Sequence, residues 1–342
     1  MSEKRRSARH GKKQSTLQKV VPFLIGAAVI LIAAGSLYGV LHMKNGGASA
    51  NKTGSAQVRT KETKKNPQQT GGSKEPNTEK SSGASSETTE SAADSADKQE
   101  GTLLAKGKNH NQAAQEYAYD PKWIQDVIDG RAVNDGQRIC ILTFDDGVNH
   151  EVTPKILDVL KQEKVPATFF VVGKTLGKET KDLLEREIAE GHSVAIHSFD
   201  HDYGKLYPGG AADPDRIAQE AEATQKLLQE LLGQDFRTQA WRYPGGHMSW
   251  HNISAGDVAL AAQGLHWVDW NAMSGDAEPE SSRPKTAAEM VAYQEKSITE
   301  YPDVKLRVVL MHDAADKQLT VEALPQIIQF YRDKGFKFGV LE

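Results

Sequence analysis

The sequence predicts an α/β fold, a distorted (β/α) barrel of about seven units built on a parallel sheet. Three observations predict it. From Tyr117 to Leu341, short apolar runs alternate with longer stretches of helical periodicity. Helical stretches close on glycine, as at Gly191 and Gly233. The apolar runs end on polar residues, and in such barrels the C-terminal ends of the strands carry the chemistry.

Taken in order, residues 123–128 read as a short amphipathic helix leading in. Residues 138–144 read as a strand, and 154–162 as a helix with Ile156, Leu157 and Leu160 on one face. Residues 167–172 follow as a strand, 180–190 as a helix and 193–196 as a strand. A long helix is expected at 215–232, a strand at 238–242, a helix at 254–263 and a strand at 265–270. The pattern ends with a helix at 286–299, a strand at 307–311, a helix at 321–334 and a strand at 337–341.

Upstream the texture differs. Residues 1–19 carry Lys4, Arg5, Arg6, Arg9, Lys12, Lys13 and Lys19, whereas 20–43 contain no Asp, Glu, Lys or Arg. That apolar run can span a hydrocarbon core of ~30 Å as a helix. The reading is a basic cytoplasmic tail (1–19) and one transmembrane anchor (20–43), with everything beyond Met43 outside the cell membrane. A cleaved secretory signal is the rival, with Ala48-Ser49-Ala50 as its weak cleavage site. Residues 44–110 are rich in Ser, Thr, Gly and Lys and nearly free of large apolar side chains. Such a segment cannot offset its ordering entropy by burial, so it reads as a disordered linker. The folded domain is then 111–342, expected to be monomeric.

The 342 residues carry a net charge of -4, so no nucleic-acid partner is expected. The single cysteine, Cys140, lies in an apolar strand and reads as a buried, inert thiol.

The chemistry collects at strand ends. The first ends in Thr143-Phe144-Asp145-Asp146-Gly147. Adjacent carboxylates resist joint ionisation unless something uses them, and a metal ion beside a base would do so. A plain Asp-Gly turn is the alternative. Later strands end in His197-Ser198-Phe199-Asp200-His201, in Arg242-Tyr243-Pro244-Gly245-Gly246, and in Leu310-Met311-His312-Asp313. Another leads into Asn271 through Asp276. Two histidines four apart can share a helical face and grip one metal. With a carboxylate from another strand they give the His-His-Asp pattern of a catalytic zinc site.

Together these five segments resemble the polysaccharide deacetylases, carbohydrate esterase family 4, across residues 138–341. By that resemblance Asp145 is the general base, and Asp146, His197 and His201 are the metal ligands. Arg242 pairs with Asp145, and the backbone N–H of Tyr243 faces the oxyanion. Leu310 is an apolar wall, His312 the general acid and Asp276 its partner. Two departures stand out: Tyr243 replaces a proline of the family's motif, and Asp276 is followed by Ala277 rather than tryptophan. Asp269-Trp270 is the rival match for that fourth motif, and Asp276 is preferred. His150 is read as a cleft residue, and His247 and His251 as loop residues. Trp241, Trp250, Trp267 and Trp270 are read as core or sugar-stacking residues.

The resemblance implies a divalent cofactor, Zn²⁺ first, with Co, Mn or Ni as alternatives. It implies removal of N-acetyl groups from N-acetylglucosamine units of a cell-wall glycan. Peptidoglycan is favoured by the outward-facing anchor and tether. An O-acetyl esterase on the same fold, or an inactive wall-binding module, are the alternatives.

Overall fold

The computed structural model describes residues 101–300 and 302–342. The expected tail and anchor, and the expected linker up to residue 100, lie outside them. Among the described residues, no helix is long and apolar enough to cross a membrane.

The central strand is β2, Ile139–Asp145, buried along its whole length. The strand β8, Leu306–His312, runs parallel beside it from Ile139↔Leu306 to Asp145↔His312. The other edge of β2 is shared. Its first three residues pair with β9, Lys337–Leu341, and its last three with β3, Thr168–Val171. From β3 the sheet continues through β4, Ser193–Ile196, to β5, Ala240–Trp241, and β6, His266–Trp267. On the far side of β8 lies β7, Ala272–Met273, and β1, Ala118–Tyr119, lies beside β9. Every ladder of this nine-stranded sheet is parallel. Among the described residues no ladder joins β6 to β7. The sheet is therefore barrel-like with one open seam.

That seam has a physical cause. The sequence predicts a strand over 265–270, but the ladder stops at Trp267. Beyond it Val268 still faces β5, its N–H donating to the Trp241 carbonyl at 2.9 Å and its carbonyl accepting from Arg242 Nε, while the Asp269 N–H donates to Gln125 Oε1 at 2.9 Å. Side chains have taken the backbone groups that a ladder would use. The same holds for Asn271, whose side chain bonds both Leu306 O and the Val308 N–H at 2.9 Å.

The helices cover the outer face: α1 Pro121–Ile128, α2 Thr153–Glu163, α3 Lys181–Ala189, α4 Tyr203–Leu206, α5 Pro214–Leu232, α6 Ile253–Ala261, α7 Ala287–Glu300 and α8 Gln318–Asp333. Two begin with an Asp-Pro pair. Asp120 accepts from the Lys122 N–H, and Asp213 from the Arg216 N–H, with proline next in each case. On β2, Cys140, Leu142 and Phe144 pack in the large cluster under the helices, with Leu157, Leu160, Leu324 and Ile328. Ile139 and Ile141 belong to the separate inner cluster with Phe170, Ala195, Leu306 and Val308. This two-residue alternation aims Thr143 and Asp145 inward. The cysteine is buried, and burial pushes its thiol well above the usual range, as the inert reading requires.

The domain starts earlier than Asn111. Asn109 is fully buried, and its side-chain amide donates to Val194 O and Leu341 O at 3.0 Å and to Thr238 Oγ1 at 3.2 Å. Leu104 bridges Asn111, and Lys108 Nζ meets Glu342 Oε2 at 2.5 Å. Asn109 is polar because it satisfies the Val194 and Leu341 carbonyls, not because it is linker. A chain beginning at residue 112 should therefore unfold at lower urea than one beginning at 101. Asn109→Ala in the longer chain should cost about 1–3 kcal/mol for each buried partner left unbonded. Equal midpoints for the two chains would contradict this.

Candidate active site

Asp145 and Asp146 leave β2 in different directions. Asp145 stays in the strand, is 2 % exposed, and accepts from Arg242 Nη1 at 2.8 Å. Asp146 has φ 79, in the left-handed region that Asp tolerates better than most residues. Gly147 follows because nothing larger fits: a Cβ there would lie 2.6 Å from Asp313 Oδ1. The turn thus separates two like charges that the sequence places side by side.

Arg242 is fully buried. Besides Asp145 it donates to Thr143 Oγ1 at 2.7 Å and to the Val268 carbonyl, and its guanidinium lies 4.1 Å over the Phe170 ring. Burial pushes the Asp145 carboxyl up from its ordinary value, while Arg242, by charge and by hydrogen bond, pulls against that rise.

His197 follows β4. Its Nδ1 lies 2.9 Å from the Arg242 carbonyl, so that nitrogen carries the proton and donates. Nε2 is left free toward the acids, 3.7 Å from Asp146 Oδ1 and 3.8 Å from Asp145 Oδ2. Burial lowers its pKa to about 3, so the ring is neutral, as ligation requires. His201 Nε2 lies 3.4 Å from Asp146 Oδ1. The helical face expected for this histidine pair is not what joins them. Ser198 and His201 have φ 72 and φ 55, the His201 N–H donates to Ser198 Oγ at 3.0 Å, and a tight loop sets the two rings 5.0 Å apart.

Asp146, His197 and His201 offer ligand atoms that all lie within 4.8 Å of one another. Donors held ~2.1 Å from a tetrahedral Zn²⁺ stand roughly 3.4 Å apart. The 3.4 and 3.7 Å separations of the two histidine nitrogens from Asp146 are close to that spacing. The orienting bond from His197 Nδ1 to a carbonyl is the outer support that a metal-binding histidine needs. Among the described residues no other trio of His, Cys, Asp or Glu meets this test.

His312 ends β8 directly across from Asp145. Asp276 grips it twice, with Oδ1 2.9 Å from Nδ1 and Oδ2 2.8 Å from the His312 N–H. Thr320 Oγ1 donates to the same Oδ2 at 2.8 Å. Burial disfavours the imidazolium, but the charge and hydrogen bond of Asp276 outweigh it, and the pKa rises to about 9. The Asp276 carboxyl is held below its usual range by the same contact, although burial opposes it. Asp269 sits elsewhere, accepting the His247 N–H at 3.1 Å. The structure thus places Asp276, and not Asp269, on the histidine.

Leu310 lies two residues before His312, in register with Thr143 and with Met273. Tyr243 turns its side chain into the core, where its hydroxyl bonds Asp257 at 3.0 Å, so what it offers the site is backbone. Ala277 is exposed, and no tryptophan wall stands there. Trp241 is fully buried and belongs to the core. Trp267 stacks 3.7 Å from the His247 ring, and His247 Nε2 lies 3.0 Å from Asp257. His150 is exposed and bonds the Glu179 carbonyl at 2.7 Å.

Three further residues support the centre. Thr143 braces Arg242 and Thr320 braces Asp276. Asp313 ties the two strand ends together: its N–H donates to Asp145 O at 3.0 Å, and its Oδ2 accepts from Thr153 Oγ1 at 2.5 Å. Asp313 is buried without a cation, and its pKa rises to about 7. The available signals were Asp313 following His312 and Thr153 opening a helix just past the Asp-Gly turn.

A family model described as polysaccharide deacetylase matches residues 132–261. The chain is 32% identical over 202 residues to a peptidoglycan-N-acetylglucosamine deacetylase of Bacillus cereus, covering 59% of this chain and 68% of that one. It is 32% identical over 215 residues to a chitooligosaccharide deacetylase of a Bradyrhizobium species, covering 60% and 90%. The solved structure of a Streptococcus mutans CE4 esterase superposes with a TM-score of 0.67 at 46% identity, covering 71% of this chain and 99% of that one.

The His312–Asp276 pair makes a direct prediction. A histidine whose folded pKa is raised from 6.5 to about 9 contributes stability fully below pH 6.5 and loses it as pH rises through about 9. NMR titration of the His312 ring should show a midpoint near 9. In Asp276→Asn the largest raising influence is gone, leaving burial opposed by the charges of Asp145 and Asp146, and the midpoint should fall well below 9. A midpoint unchanged by the substitution would remove Asp276 as the cause.

Proposed function

This chain belongs to the polysaccharide deacetylase family, and we propose that it is a metal-dependent hydrolase of N-acetyl groups on a cell-wall glycan, with peptidoglycan N-acetylglucosamine as its substrate. The observation that carries the reading is the register of β2 and β8. It sets Asp145 opposite His312, with the Asp146–His197–His201 trio beside them.

A divalent ion held by that trio, Zn²⁺ first with Co, Mn or Ni as alternatives, would polarise an acetamide carbonyl and acidify a water. The protein's own groups do the rest. Asp145 accepts the proton of the attacking water, with Arg242 fixing its direction. Charge gathering on the carbonyl oxygen meets the backbone N–H of Tyr243, and one such donor is typically worth ~3–4 kcal/mol. Leu310 shapes an apolar wall for the acetyl methyl. His312, protonated at neutral pH, gives its proton to the leaving nitrogen as the C–N bond breaks. The products are acetate and a free amine on the sugar. An amide needs this acid more than an ester does, because an amine anion is a poor leaving group.

O-acetyl ester hydrolysis is the second reading. The exposed Ala277, where the family's tryptophan would wall the acetyl pocket, favours keeping it open. An inactive wall-binding module would not require a base, an acid and a ligand trio together. The apolar run of 20–43 with its basic flank supports a cell-surface location, with the catalytic domain outside.

Acetate release from N-acetylglucosamine oligomers and from peptidoglycan tests the proposal, with metal removed by chelation and then restored. The ligand and base roles should separate. His201→Ala should lose bound metal by elemental analysis. Asp145→Asn should retain it and lose roughly 10²- to 10⁴-fold in kcat. Equal metal loss in both variants would merge the two roles and contradict the mechanism.

A further inference from the structure

The loop from His197 to His201 turns through two left-handed residues, Ser198 and His201. Side chains other than glycine adopt that conformation at a cost, so such a loop keeps its shape only where its surroundings fix it. The helix α5 does the fixing. Glu220 on that helix is 2% exposed, and its Oε2 accepts the Phe199 N–H at 2.8 Å and the Asp200 N–H at 3.3 Å. These are the two consecutive N–H groups that precede His201. One turn further on, the buried Thr224 hydroxyl lies 3.1 Å from the Ser198 carbonyl. One turn back, Arg216 donates from Nε to Glu220 Oε1 at 2.7 Å and from Nη2 to Asp200 Oδ2 at 3.0 Å. Positions 216, 220 and 224 stand four apart, so they share one face of α5 and meet the loop together. From the other side, the Gly173 and Lys174 N–H groups donate to the Ser198 and Phe199 carbonyls at 3.1 and 2.7 Å.

We propose that Glu220 is a positioning residue for the metal centre, whose carboxylate, seated under the Phe199 and Asp200 N–H groups, holds His201 at the spacing from Asp146 that an ion needs. That role rests on the metal-dependent reading of the site. Converging backbone N–H groups make a seat for an anion, and here the protein fills the seat with its own side chain. A buried carboxylate is costly unless it is bonded and paired, and Arg216 supplies the counter-charge. An apolar side chain could pack α5 against the loop, but it would leave both N–H groups without an acceptor. The two histidines are therefore held differently. His197 is oriented through its ring, by the bond from Nδ1 to the Arg242 carbonyl, and His201 through the backbone of the loop that Glu220 grips.

The test is the Zn²⁺ affinity of the purified full chain, stripped by chelation and titrated in competition with a chromophoric chelator. Glu220→Ala should weaken Zn²⁺ binding by about 10- to 100-fold, the usual cost of removing a group that holds a metal ligand in place. Glu220→Gln keeps an oxygen for one N–H but loses the charge, and should weaken binding by about threefold or more. Leu228→Ala, on the same helix but in the large core cluster, controls for stability alone. It should lower the urea midpoint of the metal-free protein and leave Zn²⁺ affinity within about twofold of wild type. Wild-type affinity in Glu220→Ala, or an equal loss in Glu220→Ala and Leu228→Ala, would overturn the role. If Glu220→Ala does not fold, Glu220→Gln decides, and unchanged affinity in that variant overturns it. If the wild-type chain takes up no Zn²⁺, or His201→Ala binds it as tightly as wild type, the metal-dependent reading fails first, and the role of Glu220 with it.

Discussion

The guanidinium of Arg242, buried beneath the site, bonds the Asp145 carboxylate at 2.8 Å and the Thr143 hydroxyl at 2.7 Å, while its backbone carbonyl takes His197 Nδ1 at 2.9 Å. One residue therefore directs the proposed base and sets the tautomer of a proposed metal ligand. The same guanidinium takes the Val268 carbonyl just past β6, at 3.0 Å. Breaking a buried ion pair by removing one partner typically costs 3–5 kcal/mol, since it strands a charge away from water.

The second half of the proposed chemistry uses the opposite arrangement. Asp145 is a buried acid beside a cation, and His312 is a buried cation beside an acid. Each pair compensates its own burial, so the two can face each other across β2 and β8 without being neutralised. The register matters more than proximity. A slip of one residue on either strand would turn the group toward the helices, because inward and outward positions alternate along both strands. The inner cluster of Ile139, Ile141, Leu306 and Val308 resists that slip, since it would expose those side chains to the wrong layer.

Much of this was legible in the sequence. The run from Ile139 to Leu142 and the strong periodicity of 154–162 and 215–232 carry their own structure, and each polar strand end was visible where its apolar run stopped. What was not legible depended on contacts between distant segments. The strand expected at 265–270 ends early because side chains from Gln125 and Arg242 capture its backbone. The histidine pair sits on a loop of two left-handed residues, a geometry that a four-residue spacing does not reveal. Asn109 looks like the last polar residue of a linker until Val194, Thr238 and Leu341 are brought to it.

The proposed chemistry needs two buried groups in opposite protonation states, and the pH dependence of kcat/KM for N-deacetylation reads both at once. Asp145 must be ionised, so activity should fall as pH drops through its pKa. His312 must be protonated, so activity should fall as pH rises through about 9. The profile should be a bell with its alkaline limb near 9. A rate that continues to climb well above that pH would show that no protonated histidine is needed, and would contradict the assignment of His312 as the acid.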